Sequence, residues 1–378
     1  MGEAALNEEE ASSVSAAPGL RLRGQIDEAI AAAGGWLPFD RFMALALYAP
    51  GLGYYARDDR QFGLMPSSGS DFVTAPELSP LFGRVLAAQV EQALAASGSD
   101  TVWEFGAGSG ALAQQLLAAL GASVRNYCIV ELSASLRKRQ RERLALYGSR
   151  VSWLDALPDA MQGVVVGNEV LDAMPVQLLH WNGGAWLERG VVPTAGGYAW
   201  QDRATPLSPP LNAAPEQRYV PGYVTEIHRQ AEAFIATLAD RLTRGAAFFI
   251  DYGFPDTEYY HPQRSSGTLM CHRAHRADAD PLTDVGAKDI TAHVDFSAIA
   301  VAAQDAGLEV LGYTSQARFL LNCGIAGHLQ TADLRTRTHA MKLIDEHEMG
   351  ELFKVIGLAR GCAFDAIGFA AGDRSHTL

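Results

Sequence analysis

The segment "VWEFGAGSGALAQQL", Val102–Leu116, decides the fold: an apolar run ends in a glycine-rich turn and continues as a helix-forming stretch. Val102–Phe105 reads as a buried strand, and Ala111–Leu120 carries apolar residues at helical spacing. Between them Gly106, Gly108 and Gly110 let a ligand approach the backbone closely. Such a unit holds its ligand at the carboxyl end of the strand, against the helix N-terminus. Spacing alone leaves three ligands open: a nicotinamide dinucleotide, a nucleotide phosphate and S-adenosyl-L-methionine. Gly106, Gly108 and Ala111 satisfy G-x-G-x-x-[GA], so the dinucleotide passes this test. No Gly-Lys-Ser/Thr follows the turn, which removes a phosphate-binding P-loop.

Two acids sharpen the choice. Glu104 lies two residues before Gly106, facing the turn. A carboxylate there repels a pyrophosphate but pairs with the amino end of a zwitterionic sulfonium ligand. Glu131 ends the next strand-like run, Tyr127–Glu131, where a carboxylate can accept both ribose hydroxyls. Its bland alternative is a cap on the helix beginning at Ser133.

Further runs at Val151–Leu154 and Val164–Asn168 alternate with the helical stretches Ala111–Leu120 and Ser133–Tyr147. "AAFFIDYG", after a helical stretch from Val224 to Arg244, then "LEVLGYTS" and "CAFDAIGFAAG" complete the set. Strands alternating with helices indicate an α/β fold, a mostly parallel sheet with helices on both faces. The core is expected over 100–378, with residues 1–20 as a disordered tail and 21–99 as a helical lobe. Pro38 is placed to begin one lobe helix, and another is expected from about Pro80 to Ala95. Asn182-Gly183-Gly184 between alternating runs predicts a β-hairpin in an insertion at about 176–222, loop-like from Ala195 to Pro221. A second, substrate-side loop region is expected at about 254–295.

The 378 residues carry a net charge of −13 and are 48% hydrophobic. That charge opposes a nucleic-acid partner and suits a cationic substrate. The four cysteines form no paired motif, so a reducing compartment is expected. Glu3, Glu8, Glu9 and Glu10 precede the first basic residue, Arg21, which disfavours a signal or transit peptide. No apolar run approaches the ~20 residues that span a bilayer. The expectation is a cytoplasmic protein without membrane insertion.

"EFGAGSG", "VEL" and "VVVGNEVLDAMPV" together resemble the class I S-adenosylmethionine-dependent methyltransferases. "YAPGLGYYA", "GSDFVTAPELSPLFG", "IDYGF", "GTLMCHRAH" and "DITAHVDFSAI", in this order over roughly residues 22–372, narrow the resemblance to the MidA-like family. Its mitochondrial member is a complex I assembly methyltransferase that modifies an arginine. The resemblance implies a Rossmann-like, seven-stranded class I sheet with an N-terminal helical lobe and an inserted region. It implies S-adenosyl-L-methionine held by Glu104, Gly106, Gly108 and Gly110 at its amino-acid part, and by Glu131 at its ribose. Asp155 and Ala156 would flank the adenine, with Asn168 also against the cofactor; Thr74, Pro76 and Glu77 would close over it. The implied partner is a protein substrate with a methyl-accepting arginine, of the respiratory-complex type, and a homodimer is left open.

Methyl transfer needs an aligned nucleophile and, where required, a base. Asn168-Glu169-Val170-Leu171-Asp172 supplies two acids at the end of the fourth strand, able to orient a guanidinium by paired hydrogen bonds. Their bland alternative is a cap on the following turn. The Asn/Asp-Pro-Pro-aromatic pattern of adenine methylation is absent there. Asp251 and Tyr252 are expected to line the acceptor pocket. His293, in a polar cluster with Asp289 and Asp295, is a candidate proton shuttle. Cys271-His272-Arg273-Ala274-His275 lacks a second half at ligand spacing, so no metal is expected. Two other readings stay open: a small-molecule methyltransferase and a non-catalytic cofactor-binding assembly factor.

Overall fold

Strands β1 (Thr101–Phe105), β2 (Asn126–Val130), β3 (Val151–Leu154), β4 (Met161–Asn168), β5 (Leu242–Phe254), β6 (Glu309–Ser315) and β7 (Phe353–Arg360) form one sheet, ordered β3-β2-β1-β4-β5-β7-β6. The computed structural model describes residues 19–57, 73–210, 219–273 and 276–378. Pairing is parallel from β3 to β5, and β7 runs antiparallel to both neighbours. A two-residue strand, Val294–Asp295, pairs in parallel with the end of β5. Strand order reverses between β1 and β4, which opens a crevice beyond their carboxyl ends.

The middles of the central strands, residues 164–166 and 246–250, are apolar because both faces are covered. Val164, Val166, Phe248 and Ile250 pack in one cluster with Val90 of helix Leu81–Ser97 and Leu116 of helix Ala111–Leu120. Val165, Ala247 and Phe249 face the other way, toward Ile235 of Arg229–Arg241 and Ile299 of Phe296–Asp305. Phe248 and Phe249 are fully buried on opposite faces, and truncating either to alanine costs about 3–5 kcal/mol.

Two insertions and the N-terminal segment surround the crevice. Between β4 and β5, strands Gln177–Trp181, Trp186–Thr194, Gly197–Ala204 and Tyr223–Ile227 make an antiparallel sheet, with Leu37–Pro38 on its edge. Asn182 turns the expected hairpin, its Oδ1 accepting from the amides of Gly184 and Ala185, each at 2.9 Å. The N-terminal helices, 19–32 and Phe39–Tyr48, dock on this sheet: Ile26, Phe42 and Leu47 share a cluster with Leu178 and Val191. After β5, Met270–Arg273 pairs with Arg276–Asp278 and Asp289–Thr291 in a small sheet.

Several local expectations change. Residues 224–227, read as the start of a helix, belong to the strand Tyr223–Ile227 paired with Gln177–Trp181, and the helix spans only Arg229–Arg241. The β-branched Val224, Thr225 and Ile227 find a partner strand there, and pairing overrides the helical reading. Residues 145–147, expected to continue the preceding helix, are 3-10; the α-helix is Ala134–Arg143. "CAFDAIGFAAG" is not a strand; the last strand is Phe353–Arg360, ended by Gly361 at φ +64°. The chain beyond folds back instead, seating Phe369 in a slot that Gly312 and Gly357 leave open. Part of the expected loop 195–221 is the strand Gly197–Ala204, and residues 211–218 lie outside the described residues, as does nearly all of the expected tail.

Candidate active site

A cleft of about 1700 Å³ opens beyond the carboxyl ends of β1 to β5. Its floor at β1 is the glycine turn. Gly106 and Gly108 have φ of +59° and +52°, and a Cβ on Gly106 would stand 3.1 Å from Val170 Cγ2. Gly110, at φ +80°, caps the helix Ala111–Leu120 and lies behind the wall, where a Cβ would meet Gln140.

Glu104 is buried, and its Oε2 accepts from the Tyr127 hydroxyl at 2.7 Å. Burial, outweighing that hydrogen bond and reinforced by Glu131, lifts its carboxyl to about 8. Glu131 accepts from the Ser133 amide at 2.9 Å and from Gln140 Nε2 at 3.1 Å. Ser133 itself caps the following helix, so Glu131 fastens the cap residue while its carboxylate lines the cleft. Gln140, fully buried, also donates to the Gly108 carbonyl at 2.9 Å and accepts from Trp153 Nε1. It ties the turn, β2 and β3 together. Sequence reasoning missed it inside "LRKRQRER", although its i+4 spacing from Leu136 marks the buried side of that helix.

Thr74, Pro76, Asp155 and Ala156 line the cleft near this half. Asp155 is exposed and pairs with Arg137. Glu77 does not line it. Its carboxylate binds Arg143 at 2.7 Å and the Ser109 hydroxyl, which tether the short helix Ala75–Leu78 to the glycine turn. Against the upward pull of burial, those partners hold Glu77 below the ordinary carboxylate value.

The other half is built around the end of β4. Glu169 adopts φ +53°, a conformation costly for a residue with a Cβ and usually retained where surroundings enforce it. The enforcement comes from β5: the Glu169 amide donates to the Ile250 carbonyl at 2.9 Å. Asp251 Oδ2 accepts from the amides of Val170, Leu171 and Asp172 at 3.1, 2.9 and 3.2 Å. The β4–β5 register, Asn168 opposite Ile250, makes this possible. Asp251, expected in the pocket wall, is thus behind it, holding the turn that presents Glu169 and Asp172.

Asn168, Glu169, Asp172, Tyr252 and His293 all line the cleft. Asn168 Nδ2 donates to Glu169 Oε1 at 2.8 Å. Burial and then repulsion from Asp172 raise Glu169 to about 8. Burial raises Asp172 to about 6 even though the Tyr252 hydroxyl donates to its Oδ2. Asp172 Oδ1 is buried without a hydrogen-bond partner among the described residues. The His293 ring meets that of Tyr252 edge-on at 5.2 Å. Burial, then Arg264 and Lys354, lower His293 to about 4, so it is neutral at pH 7. Tyr48, Tyr55 and Asp289 complete this half. Among the described residues no three His, Cys, Asp or Glu side chains converge as metal ligands; Ala274 and His275 of the cysteine–histidine run lie outside them.

The donor set of the first half suits S-adenosyl-L-methionine: an open glycine cradle, the desolvated Glu104 for an ammonium, and Glu131 for paired hydroxyls. Residues 81–314 match the family model described as "Putative S-adenosyl-L-methionine-dependent methyltransferase". The chain is 52% identical to a Burkholderia thailandensis protein crystallised with S-adenosyl-homocysteine, with a TM-score of 0.90 over 96% of this chain and 97% of that one. It is also 27% identical over 347 residues to the Caenorhabditis elegans mitochondrial protein arginine methyltransferase NDUFAF7 homolog, covering 82% of this chain and 78% of the relative. The human mitochondrial protein arginine methyltransferase NDUFAF7 is 27% identical over 365 residues, covering 84% and 78%. With its strand order, its glycine cradle and a family match over more than half its length, the chain belongs to this family of S-adenosyl-L-methionine-dependent methyltransferases.

Proposed function

We propose that the protein methylates an arginine side chain of a protein substrate. One observation carries this reading. Glu169 and Asp172 face the cleft together at the end of β4, and the buried Asp172 Oδ1 has no partner among the described residues. An oxygen so placed awaits a donor, because an unsatisfied buried carboxylate oxygen is costly. A guanidinium offers paired, charged N–H donors that match two carboxylates. The relatives named as protein arginine methyltransferases support the same substrate class.

Bound S-adenosyl-L-methionine supplies an electrophilic methyl group. The chain's own residues then have two tasks. Asp172, steadied by Tyr252, orients the guanidinium, and Asn168 turns the Glu169 carboxyl toward the same space. Methylation at nitrogen releases one proton, and Glu169, lifted to about 8, exchanges protons near neutrality. We assign Glu104, Gly106, Gly108 and Glu131 to the cofactor, with Asn168, Asp155 and Ala156 beside it and Thr74 and Pro76 over it. Gly110 and Glu77 support from behind. His293, neutral and beside Tyr252, is a reserve proton carrier.

The test is mass spectrometry of whole proteomes with and without the gene, searching for a lost methylarginine. Respiratory-complex subunits are the first place to look, on the family resemblance, together with the cytoplasmic fraction. No helix among the described residues is long and apolar enough to cross a membrane. Methyl label passing only into a low-mass product would overturn the protein-substrate reading. A phenotype rescued in full by Glu169→Gln/Asp172→Asn would point to a non-catalytic role.

A further inference from the structure

The core sheet offers two carboxyls to the acceptor, and a third stands in the same cleft from outside the core. Asp289 begins the strand Asp289–Thr291, in the insertion that follows β5, and is 2% exposed. It lines the cleft with Glu169 and Asp172, and its charge contributes to raising Glu169. Its Oδ2 accepts from the Tyr55 hydroxyl at 3.0 Å, and its Oδ1 from the Ile290 amide at 2.9 Å. Tyr55 belongs to the N-terminal segment and stacks on Tyr48 at 5.6 Å. The Tyr48 hydroxyl donates to the Ala173 carbonyl at 2.7 Å, one residue beyond Asp172. Three separate stretches of chain therefore converge on one small volume.

A second observation points to a ligand there. Asp172, 4% exposed and lining the same cleft, has a buried Oδ1 with no partner among the described residues. We propose that Asp289, oriented by the Tyr55 hydroxyl, is a substrate-binding residue that selects a cationic guanidinium over neutral side chains. The proposal rests on the arginine reading above and adds the group that enforces it. Gathering buried carboxyls around one space is unfavourable without a cation, and a guanidinium relieves repulsion with several charge-assisted bonds at once. A neutral urea-like side chain of the same shape relieves none of it. Selectivity then resides in the insertion and the N-terminal segment, the parts of the chain that are not the sheet itself.

The experiment is methyl-label transfer by the full chain into lysate of a strain lacking the gene, inhibited by a glycine-flanked arginine peptide or its citrulline counterpart. The wild type should be inhibited at least tenfold more strongly by arginine than by citrulline. Asp289→Asn should weaken arginine inhibition about 10- to 100-fold, as expected for loss of a charge-assisted bond, and leave citrulline inhibition unchanged. Asp289→Glu should recover part of it. Affinity for S-adenosyl-homocysteine by calorimetry should stay within twofold of wild type in both. If Asp289→Asn keeps the arginine preference, the role of Asp289 is overturned and the arginine reading survives. If the wild type itself does not distinguish the two peptides, both are overturned together. Should Asp289→Asn lose S-adenosyl-homocysteine binding through misfolding, Tyr55→Phe decides. A threefold or larger weakening for arginine alone supports the proposal, and an unchanged preference sinks it.

Discussion

The two halves of the cleft are assembled in opposite ways. The cofactor half comes from consecutive strand ends, β1 to β3, and its groups are fixed largely by close neighbours: Glu104 by Tyr127, Glu131 by Ser133 and Gln140. The acceptor half is gathered from Tyr48 and Tyr55, from Asn168–Asp172, from Asp251 and Tyr252, and from Asp289 to His293. A ligand shared by a whole family can be held by a short, local device. The half we assign to the acceptor is built instead from pieces attached around the sheet. If this division is physical, substitutions in one half should leave the other half's ligand largely untouched.

The largest effect is expected from Gly106→Val. The backbone there is left-handed at φ +59°, and the added Cβ meets Val170 Cγ2 at 3.1 Å before the branches are counted. Calorimetry with S-adenosyl-homocysteine should show no measurable binding, a loss of at least about 100-fold. Because Val170 sits between Glu169 and Asp172, this is also a place where the halves touch. Retained binding in the variant would break the assignment of the turn as the cradle.

Asp251→Ala tests the opposite side. It strips four backbone amides, those of Val170, Leu171, Asp172 and Tyr252, of their side-chain acceptor, an expected loss of about 3 kcal/mol in denaturant stability. The turn that presents Glu169 and Asp172 should loosen, lowering methyl-label transfer about 100-fold. Affinity for S-adenosyl-homocysteine should change less than fivefold, since the cradle is carried by other strands. Equal losses in both quantities would show that the halves are not separable.

The same contrast explains what could be read from the residues alone. The sheet was legible where strands are unbroken apolar runs, as in "VVVGN" and "AAFFIDYG". The strand Phe353–Arg360 was hidden because its apolar run, residues 355–359, is short and is flanked by Lys354 and Arg360. Lys354 is nonetheless buried, with its ammonium turned to Glu351, so local polarity concealed a core strand. The glycine turn, Glu104 and Glu131 were legible because their spacing follows from one strand–turn–helix unit. Gln140 was masked by the five basic neighbours on its own helix, and Asp251 was visible as a residue but not as a support behind the wall. No local pattern brings Tyr55 to Asp289. That contact exists only because the N-terminal helices dock on the inserted sheet.

Glu104 gives a smaller and pH-dependent effect. Its carboxyl is lifted from 4.5 to about 8, so the folded, cofactor-free protein retains a proton that the unfolded chain loses above pH 4.5. The stability linked to this group is therefore full below pH 4.5 and is lost as pH rises toward 8. An ammonium placed against it favours the ionised form, so cofactor binding at pH 7 should release up to one proton. Calorimetry in buffers of different ionisation enthalpy measures this directly. Glu104→Gln should abolish the release, flatten the stability decline and weaken binding about tenfold to thirtyfold. Undiminished proton release in the variant would assign it to another group.

Tyr48→Phe should have the mildest consequence, and it tests how finely the acceptor half is set. The lost hydroxyl leaves the Ala173 carbonyl without its 2.7 Å donor, while the ring keeps its stacking on Tyr55. A single neutral hydrogen bond contributes about 1 kcal/mol, which corresponds to roughly a fivefold change. That change should fall on the concentration of acceptor lysate needed for half-maximal labelling, with the limiting rate and S-adenosyl-homocysteine affinity unaltered. The reason is positional: Tyr48 braces the segment just beyond Asp172 and touches neither the glycine turn nor Glu131 by any hydrogen bond found among the described residues. A fall in the limiting rate instead would mean that Tyr48 acts on the alignment of Asp172 during transfer, and the acceptor half would then be a coupled unit rather than a set of independent contacts.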